Sequence, residues 1–160
     1  MWRRAEPADD ERVVALCLAL NAEDRGQDPV PADHIRRTLR ALRDVPSRGS
    51  AVVLDIGSGA CGYALLIPFW SNELGGQVCA IDELYVEPAL RGRGHARALI
   101  EGLAAGTLPG AEDAVALTVE VTPANDGARR LYERAGFEGT NRSMRRRLDR
   151  PGQGRPTPPR

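Results

Sequence analysis

The 160-residue chain has no lysine: its 22 basic side chains are all arginine, and they balance 22 Asp plus Glu to a formal net charge of zero. A Walker-type phosphate loop needs its lysine, and Schiff-base or pyridoxal chemistry needs an amine nucleophile, so both classes are excluded. Cysteine is scarce: Cys17, Cys61 and Cys79 are odd in number and lack CxxC spacing, and only His34 and His95 could join them as soft ligands. Neither a metal site nor a disulfide framework follows, which favours a reducing cytoplasm over export. No apolar run reaches membrane-spanning length. Val13–Leu20 is long enough for a signal peptide's apolar region, but Asp9, Asp10 and Glu11 stand before it where positive charge belongs, so it reads as the buried face of an early helix. Aromatics are only 4% of the chain, and neither an aromatic platform nor a reading helix argues for nucleic acid.

What is present fits one globular domain: 42% apolar and 28% charged residues in a chain long enough for a real core. Trp2–Ala5 reads as a first strand and Asp9–Asn21 as a first helix. Ile35, Leu39 and Leu42 recur at helical spacing in a second. The period then changes. Ala51–Ile56 and Tyr63–Trp70 are apolar runs joined through Gly57, Ser58 and Gly59, which predicts a hairpin, and Val78–Val86 is a third strand closed by Pro88. Gly94–Ala105 is helical, Ala114–Val121 strand-like, and Asn125–Ala135 a helix ended by Gly136, while Phe137 and Arg142–Leu148 supply one or two last strands. The order is mixed α/β, an antiparallel start followed by a βαβ unit. Residues 1–148 form the expected domain. The last twelve residues, 149–160, rich in Pro and Arg, read as a disordered tail.

Two glycine motifs compete. Gly57, Gly59 and Gly62 complete a GxGxxG within a string that resembles the first motif of S-adenosylmethionine methyltransferases, yet Pro68 follows so soon that no helix of useful length fits behind it. The second is Arg91-Gly92-Arg93-Gly94-His95-Ala96, between a strand and a helix. Its glycines allow close backbone approach, the helix-start N–H groups form an anion cradle, and Arg91, Arg93 and Arg97 add charge, which makes a pyrophosphate site by physics. As a dinucleotide fingerprint it fails, because Arg97 stands at the third glycine.

Arg91-x-x-Gly94-x-Ala96, preceded by Asp82-Glu83-Leu84-Tyr85-Val86-Glu87-Pro88, resembles the acyl-CoA motif of the GCN5-related N-acetyltransferase (GNAT) superfamily. Asn125-x-x-Ala128-x-x-Leu131-Tyr132-x-x-x-Gly136-Phe137 resembles its second signature. The resemblance implies a mixed α/β (α+β) fold, with a mostly antiparallel sheet of six to seven strands flanked by about four helices. It also implies transfer of an acetyl group from acetyl-CoA, as co-substrate, to a primary amine in a ternary complex.

On the matched positions, Leu84, Tyr85 and Val86 would bond the pantetheine arm through their backbone, as an added strand would. The loop Arg91, Gly92, Arg93, Gly94, His95, Ala96 and Arg97 would hold the pyrophosphate, with His95 acting through its N–H rather than its imidazole. An N–H near Val86 would stabilise the oxyanion. Asn125 matches a polar contact to pantetheine, and a helix cap is the alternative reading. Tyr132 matches the general acid that protonates the CoA thiolate, although its helical stripe also suits a core aromatic. A lysine-like amine is neutral in only about one molecule in two thousand at pH 7, so a base or a water chain should help. Asp82 and Glu83 are the carboxylates near the reacting end, and alternation sends them to opposite faces. Diamine acetyltransferases of the superfamily favour Asp82.

Phe69, Trp70, Glu73 and the loop Glu23–Pro31, with Asp24 and Asp28, occupy positions that shape the acceptor pocket in that superfamily. A small amine or amino-acid-like molecule is the expected acceptor, with a protein N-terminus or side chain, or an aminoglycoside, left open, and the resemblance also leaves a homodimer open. The alternatives are a non-catalytic acyl-CoA-binding module and, more remotely, a methyltransferase. The zero net charge is itself a cancellation: residues 1–141 hold 15 arginines against 21 acids, and residues 142–160 hold 7 against 1. An acidic body suits a cationic amine.

Overall fold

The computed structural model describes residues 1–23, 30–122 and 125–139. Strand β1 (Trp2–Arg4) leads through a 3-10 turn at Pro7–Asp9 into helix α1 (Asp10–Glu23), and α2 (Ala32–Asp44) follows. Then come β2 (Ser50–Asp55), β3 (Ala60–Ser71), β4 (Gly76–Val86), α3 (His95–Ala104), β5 (Ala114–Val119) and α4 (Asp126–Arg134). The sheet runs β1-β2-β3-β4-β5, with the first four strands antiparallel and β5 parallel to β4, as a crossover through α3 requires.

Side-chain alternation divides the core in two. On one face Val52, Leu54, Ala64, Leu66, Cys79 and Ile81 pack with Leu99, Ile100 and Leu103 of α3 and Tyr132 of α4. On the other, Ala51, Val53, Tyr63, Leu65 and Tyr85 meet Val13, Leu16 and Cys17 of α1 and Ile35, Leu39 and Leu42 of α2. The three apolar positions of α2 sit at the spacing of one helical stripe, and all three are buried. The first turn is pinned by charge: Asp9 accepts from Arg3 at 2.7 and 3.0 Å and from the Glu6 N–H at 2.8 Å, and Arg3 also reaches Asp55 at 2.9 Å.

The GxGxxG string is a hairpin and opens no helix. Gly57 and Gly59 turn the chain at φ +96° and +100°, conformations that an L side chain resists, and β3 begins at Ala60. Gly62 has a different reason: a Cβ there would lie 2.7 Å from the Tyr85 carbonyl oxygen. The described sheet has five strands rather than six to seven. Phe137 follows α4 outside any strand and packs on the α3-side core, while the expected strand Arg142–Leu148 and the tail lie outside the described residues. Among the described residues no helix is long and apolar enough to cross a membrane.

Candidate active site

The sheet opens beside the C-terminal half of β4. Strand β3 stays paired with β4 to Gly62↔Val86, whereas β5 pairs only from Gln77↔Ala114 to Ile81↔Val119. Residues 82–86 therefore turn towards a gap an edge that β5 does not cover, and such an edge can receive an extended ligand as an added strand. A β-bulge marks where the gap begins. Leu65 opposes Glu83 and Leu66 opposes Ile81, so Asp82 is the extra residue. The bulge overturns the expected alternation: Ile81 lies in the α3-side core, yet Glu83, two positions on, contacts the α1 side. Alternation thus does not assign faces to Asp82 and Glu83.

The glycine loop stands at the end of that edge. Gly92 and Gly94 adopt φ +76° and +82°, and a Cβ on either would meet no atom within 4 Å, so both the turn and the space beside it are kept for backbone. The first backbone bond into α3 is from the Ala98 N–H to the Gly94 carbonyl. Among the described residues the amides of residues 92–97 have no backbone acceptor, which leaves a run of donors at a helix start, the arrangement that binds an anion. A pyrophosphate fits this cradle.

The arginines around it are less free than their number implied. Arg91 donates to the Val86 carbonyl at 2.8 Å and to both Glu23 oxygens at 3.0 and 2.8 Å, with its guanidinium 5.1 Å from the Tyr85 ring centre. Arg97 pairs with Glu101 at 2.6 Å, and Arg93 is exposed. His95 contributes its backbone: its carbonyl accepts from the Trp2 indole at 2.8 Å, which ties β1 to the start of α3.

Two groups able to move protons flank the opened edge from opposite faces. Glu83 is half-buried, and desolvation first, with the nearby Asp82 charge, holds its carboxyl above the usual range against hydrogen bonds from Tyr63 and Cys17. Asp82 itself is exposed. On the α3 side Tyr132 is buried, its phenol pushed up to about 12 by desolvation and its ring edge-on to Phe137 at 5.4 Å. Among the described residues no buried side-chain oxygen or nitrogen lacks a partner, so the Tyr132 hydroxyl, which has no hydrogen bond there, reaches accessible space. Leu84 packs against the same core as Tyr132. Asn125 caps α4, its Oδ1 accepting the Ala128 N–H at 3.0 Å and its amide NH2 left to donate elsewhere.

Reasoning from the sequence missed several partners. Tyr63, Cys17 and Glu23 complete the surroundings of Glu83, Tyr85 and Arg91, and their apolar or helical context carries no signal for that. Phe69 and Trp70, expected at the acceptor pocket, lie at the other end of β4. Trp70 opposes Gln77, five residues from Asp82, a distance of about 17 Å along a strand. They line a separate hollow of about 440 Å³ with Arg4, Ser50 and Glu112. Asp24 and Asp28 fall outside the described residues.

The sequence model of the acetyltransferase (GNAT) family matches residues 14–137. The chain belongs to that family. GNAT membership makes it an acyltransferase. A GNAT-type fold recurs in solved structures. An integron cassette protein from the mobile metagenome of Cole Harbour salt marsh is 26% identical with a TM-score of 0.70, over 94% of this chain and 91% of that one. A possible acetyltransferase from Clostridium difficile 630 is 19% identical with a TM-score of 0.77, over 93% and 97%. The ribosomal-protein-alanine N-acetyltransferase from Brucella melitensis biovar Abortus 2308 is 22% identical with a TM-score of 0.70, over 92% and 99%. No curated protein matches the chain.

Proposed function

We propose that this GNAT protein transfers an acetyl group from acetyl-CoA to the primary amine of a small molecule. The observation that carries the reading is the edge at residues 82–86 that β5 does not cover, followed by amides at 92–97 without a backbone acceptor among the described residues, with Glu83 on one face and Tyr132 on the other. The edge of Leu84–Val86 would bind the pantetheine arm, the loop from Arg91 to Arg97 the pyrophosphate, and the Asn125 amide would add a donor from the helix end. The thioester supplies the activated acyl group. A backbone N–H near Val86 would stabilise the developing oxyanion, where a fixed donor in a site shielded from water is worth most.

Of the two protons that an ammonium acceptor loses, one leaves through a carboxylate and the other ends, by way of Tyr132, on the CoA sulfur. We assign the carboxylate to Glu83 rather than Asp82. Its burial raises its basicity towards the working pH, whereas Asp82 is exposed. The Tyr132 phenol stays protonated through the neutral range and can donate to a thiolate as it forms. Its ring lies in the α3-side core while Glu83 contacts the α1 side, so acid and base would act from the two faces of the sheet.

Release of CoA thiol from acetyl-CoA, measured with putrescine, lysine, phenylethylamine and an alanine-ended peptide, tests this. Amine-dependent release is the expected result, and the fastest amine names the acceptor class. The peptide is included because the Brucella neighbour is a ribosomal-protein-alanine N-acetyltransferase. Acetyl-CoA binding with no release on any amine would leave the non-catalytic acyl-CoA module standing instead.

A further inference from the structure

The mechanism above uses the carboxylate of Glu83 and leaves unexplained why a tyrosine hydroxyl lies inside the α1-side core next to it. Tyr63 sits near the start of β3 and is fully buried among Val13, Leu16 and Cys17 of α1 and its strand neighbours. A phenol in such surroundings must find a partner or lose its hydration uncompensated. Its partner is Glu83: the Tyr63 hydroxyl donates to Oε2 at 2.7 Å, and Cys17 Sγ lies 3.7 Å from the same oxygen. The geometry is set by the sheet. Tyr63 opposes Tyr85 directly, and Glu83, two residues back on the same face, is its diagonal neighbour once the bulge at Asp82 has turned Glu83 to that face.

Both contacts fall on Oε2. Glu83 Oε1 has no hydrogen-bond partner among the described residues, and no buried oxygen there is left unsatisfied, so Oε1 is the oxygen that keeps accessible surface. One end of the carboxylate is held in the core and the other is left for an incoming group.

We propose that Tyr63 is the positioning residue of the acyl-transfer base: its buried hydroxyl anchors Glu83 by Oε2 and so presents Oε1 to the acceptor amine. This rests on the assignment of Glu83 as the base. In the step served, Oε1 takes one proton from the ammonium, the freed lone pair of nitrogen forms the bond to the acyl carbon, the carbon–sulfur bond breaks with its electron pair left on sulfur, and the second proton of the nitrogen is balanced by the one that Tyr132 gives that thiolate. The groups facing Glu83 are Tyr63 from β3, Cys17 from α1 and Asp82 from β4 itself; the Tyr85 ring beyond them is occupied by Glu23, which accepts from its hydroxyl at 2.9 Å, and by Arg91. Tyr63 donates to the ionised carboxylate and therefore favours it, while burial and Asp82 act the other way.

The test compares Glu83→Gln and Tyr63→Phe in pH profiles of kcat/KM, using acetyl-CoA and the fastest amine of the panel, beside a 13C NMR titration of the Glu83 carboxyl carbon. Glu83→Gln should remove the low-pH limb. If that limb survives at wild-type rate, the assignment of the base falls, and the inference with it, whatever Tyr63 does. Given its loss, Tyr63→Phe should move the limb and the 13C titration upward together by about one pH unit, a tenfold loss of activity on the acid side, with the KM for acetyl-CoA unchanged. A folded Tyr63→Phe protein with both titrations unmoved overturns the inference. Should Tyr63→Phe not fold, 3-fluorotyrosine at position 63 keeps the shape and donates more strongly. It should move the 13C titration downward, and no movement overturns the inference equally.

Discussion

Replacing Gly62 with alanine adds one methyl group at the place where β3 presses on the acyl strand. The new Cβ would lie 2.7 Å from the Tyr85 carbonyl oxygen, 3.3 Å from the Leu54 Cβ and 3.4 Å from the Val86 Cα. Ordinary non-bonded contacts sit at roughly 3.5 Å, so the first of these demands a movement of roughly 0.8 Å. The atom that must yield is backbone in a paired strand, which cannot swing aside as a side-chain end would. Gly62 is also outside the left-handed region, so the penalty is one of space and not of φ. Overpacking of this kind costs about 1–3 kcal/mol, which for a chain of this size lowers Tm by roughly 3–10 °C.

The displaced segment is also the one proposed to align the thioester, and a misplacement approaching 1 Å lowers turnover by roughly ten- to a hundredfold. Thermal melts and steady-state kinetics on Gly62→Ala measure both effects. Gly57→Ala is the control: its Cβ meets nothing within 4 Å, so it costs only the strain of φ +96°, about 1–2 kcal/mol, and presses on no atom of the acyl edge. If Gly62→Ala melts and turns over like the wild type, the close approach of β3 to β4 does not set the acyl edge. A loss of stability with unchanged turnover would separate the packing from the chemistry.

Tyr132→Phe should keep the fold and acetyl-CoA binding while lowering kcat by about 10²–10⁴-fold, the range for loss of a general acid; calorimetric titration with acetyl-CoA beside turnover checks it, and unchanged kcat removes Tyr132 from the mechanism. Asp9→Asn tests the charge cluster at the start of α1. The Arg3 guanidinium, followed by the Glu6 N–H, holds the Asp9 carboxyl below its ordinary value of 3.8, so its stabilisation is complete above that pH and is lost as pH falls through the lowered value. The variant should be less stable by about 1–2 kcal/mol at pH 7, and the difference should shrink between pH 4 and pH 2 in urea melts. A difference independent of pH would show that the Asp9 charge is not what stabilises the turn.

Periodicity reveals what repeats along one segment and is blind to what depends on a partner. The stripe Ile35, Leu39 and Leu42 gives α2 because each position is set by helix geometry alone, and the apolar run from Val78 to Val86 gives β4 but for its first two residues, Gly76 and Gln77. The hairpin at Gly57–Gly59 is legible because Pro68 forbids the competing helix. The bulge at Asp82 is not, since an extra residue in β4 exists only relative to Leu65 and Leu66 of β3. That single residue turns Glu83 to the α1 side, so the question of which carboxylate enters the cleft had no answer in alternation. Phe69 and Trp70 show the opposite error: nearness along the chain to the acyl strand became distance in space because the two strands are antiparallel.

The sequence by itself determined the order of the described elements and the glycine loop ahead of α3. Helix spacing, turn glycines and the position of the cradle amides are local properties, settled by φ, by hydrogen bonds a few residues long, and by which face is apolar. Tertiary structure alone decided which groups the site brings together. Only the folded sheet ends the pairing of β5 with β4 at Ile81, sets Arg91 on Glu23 across 68 residues and the Trp2 indole on the His95 carbonyl across 93, and puts the Tyr63 hydroxyl against Glu83. Of these contacts Trp2–His95 and Tyr63–Glu83 are partly shielded from water, while Arg91–Glu23 lies at the surface. Their strength and basicity come from surroundings that no stretch of the chain contains until it has folded.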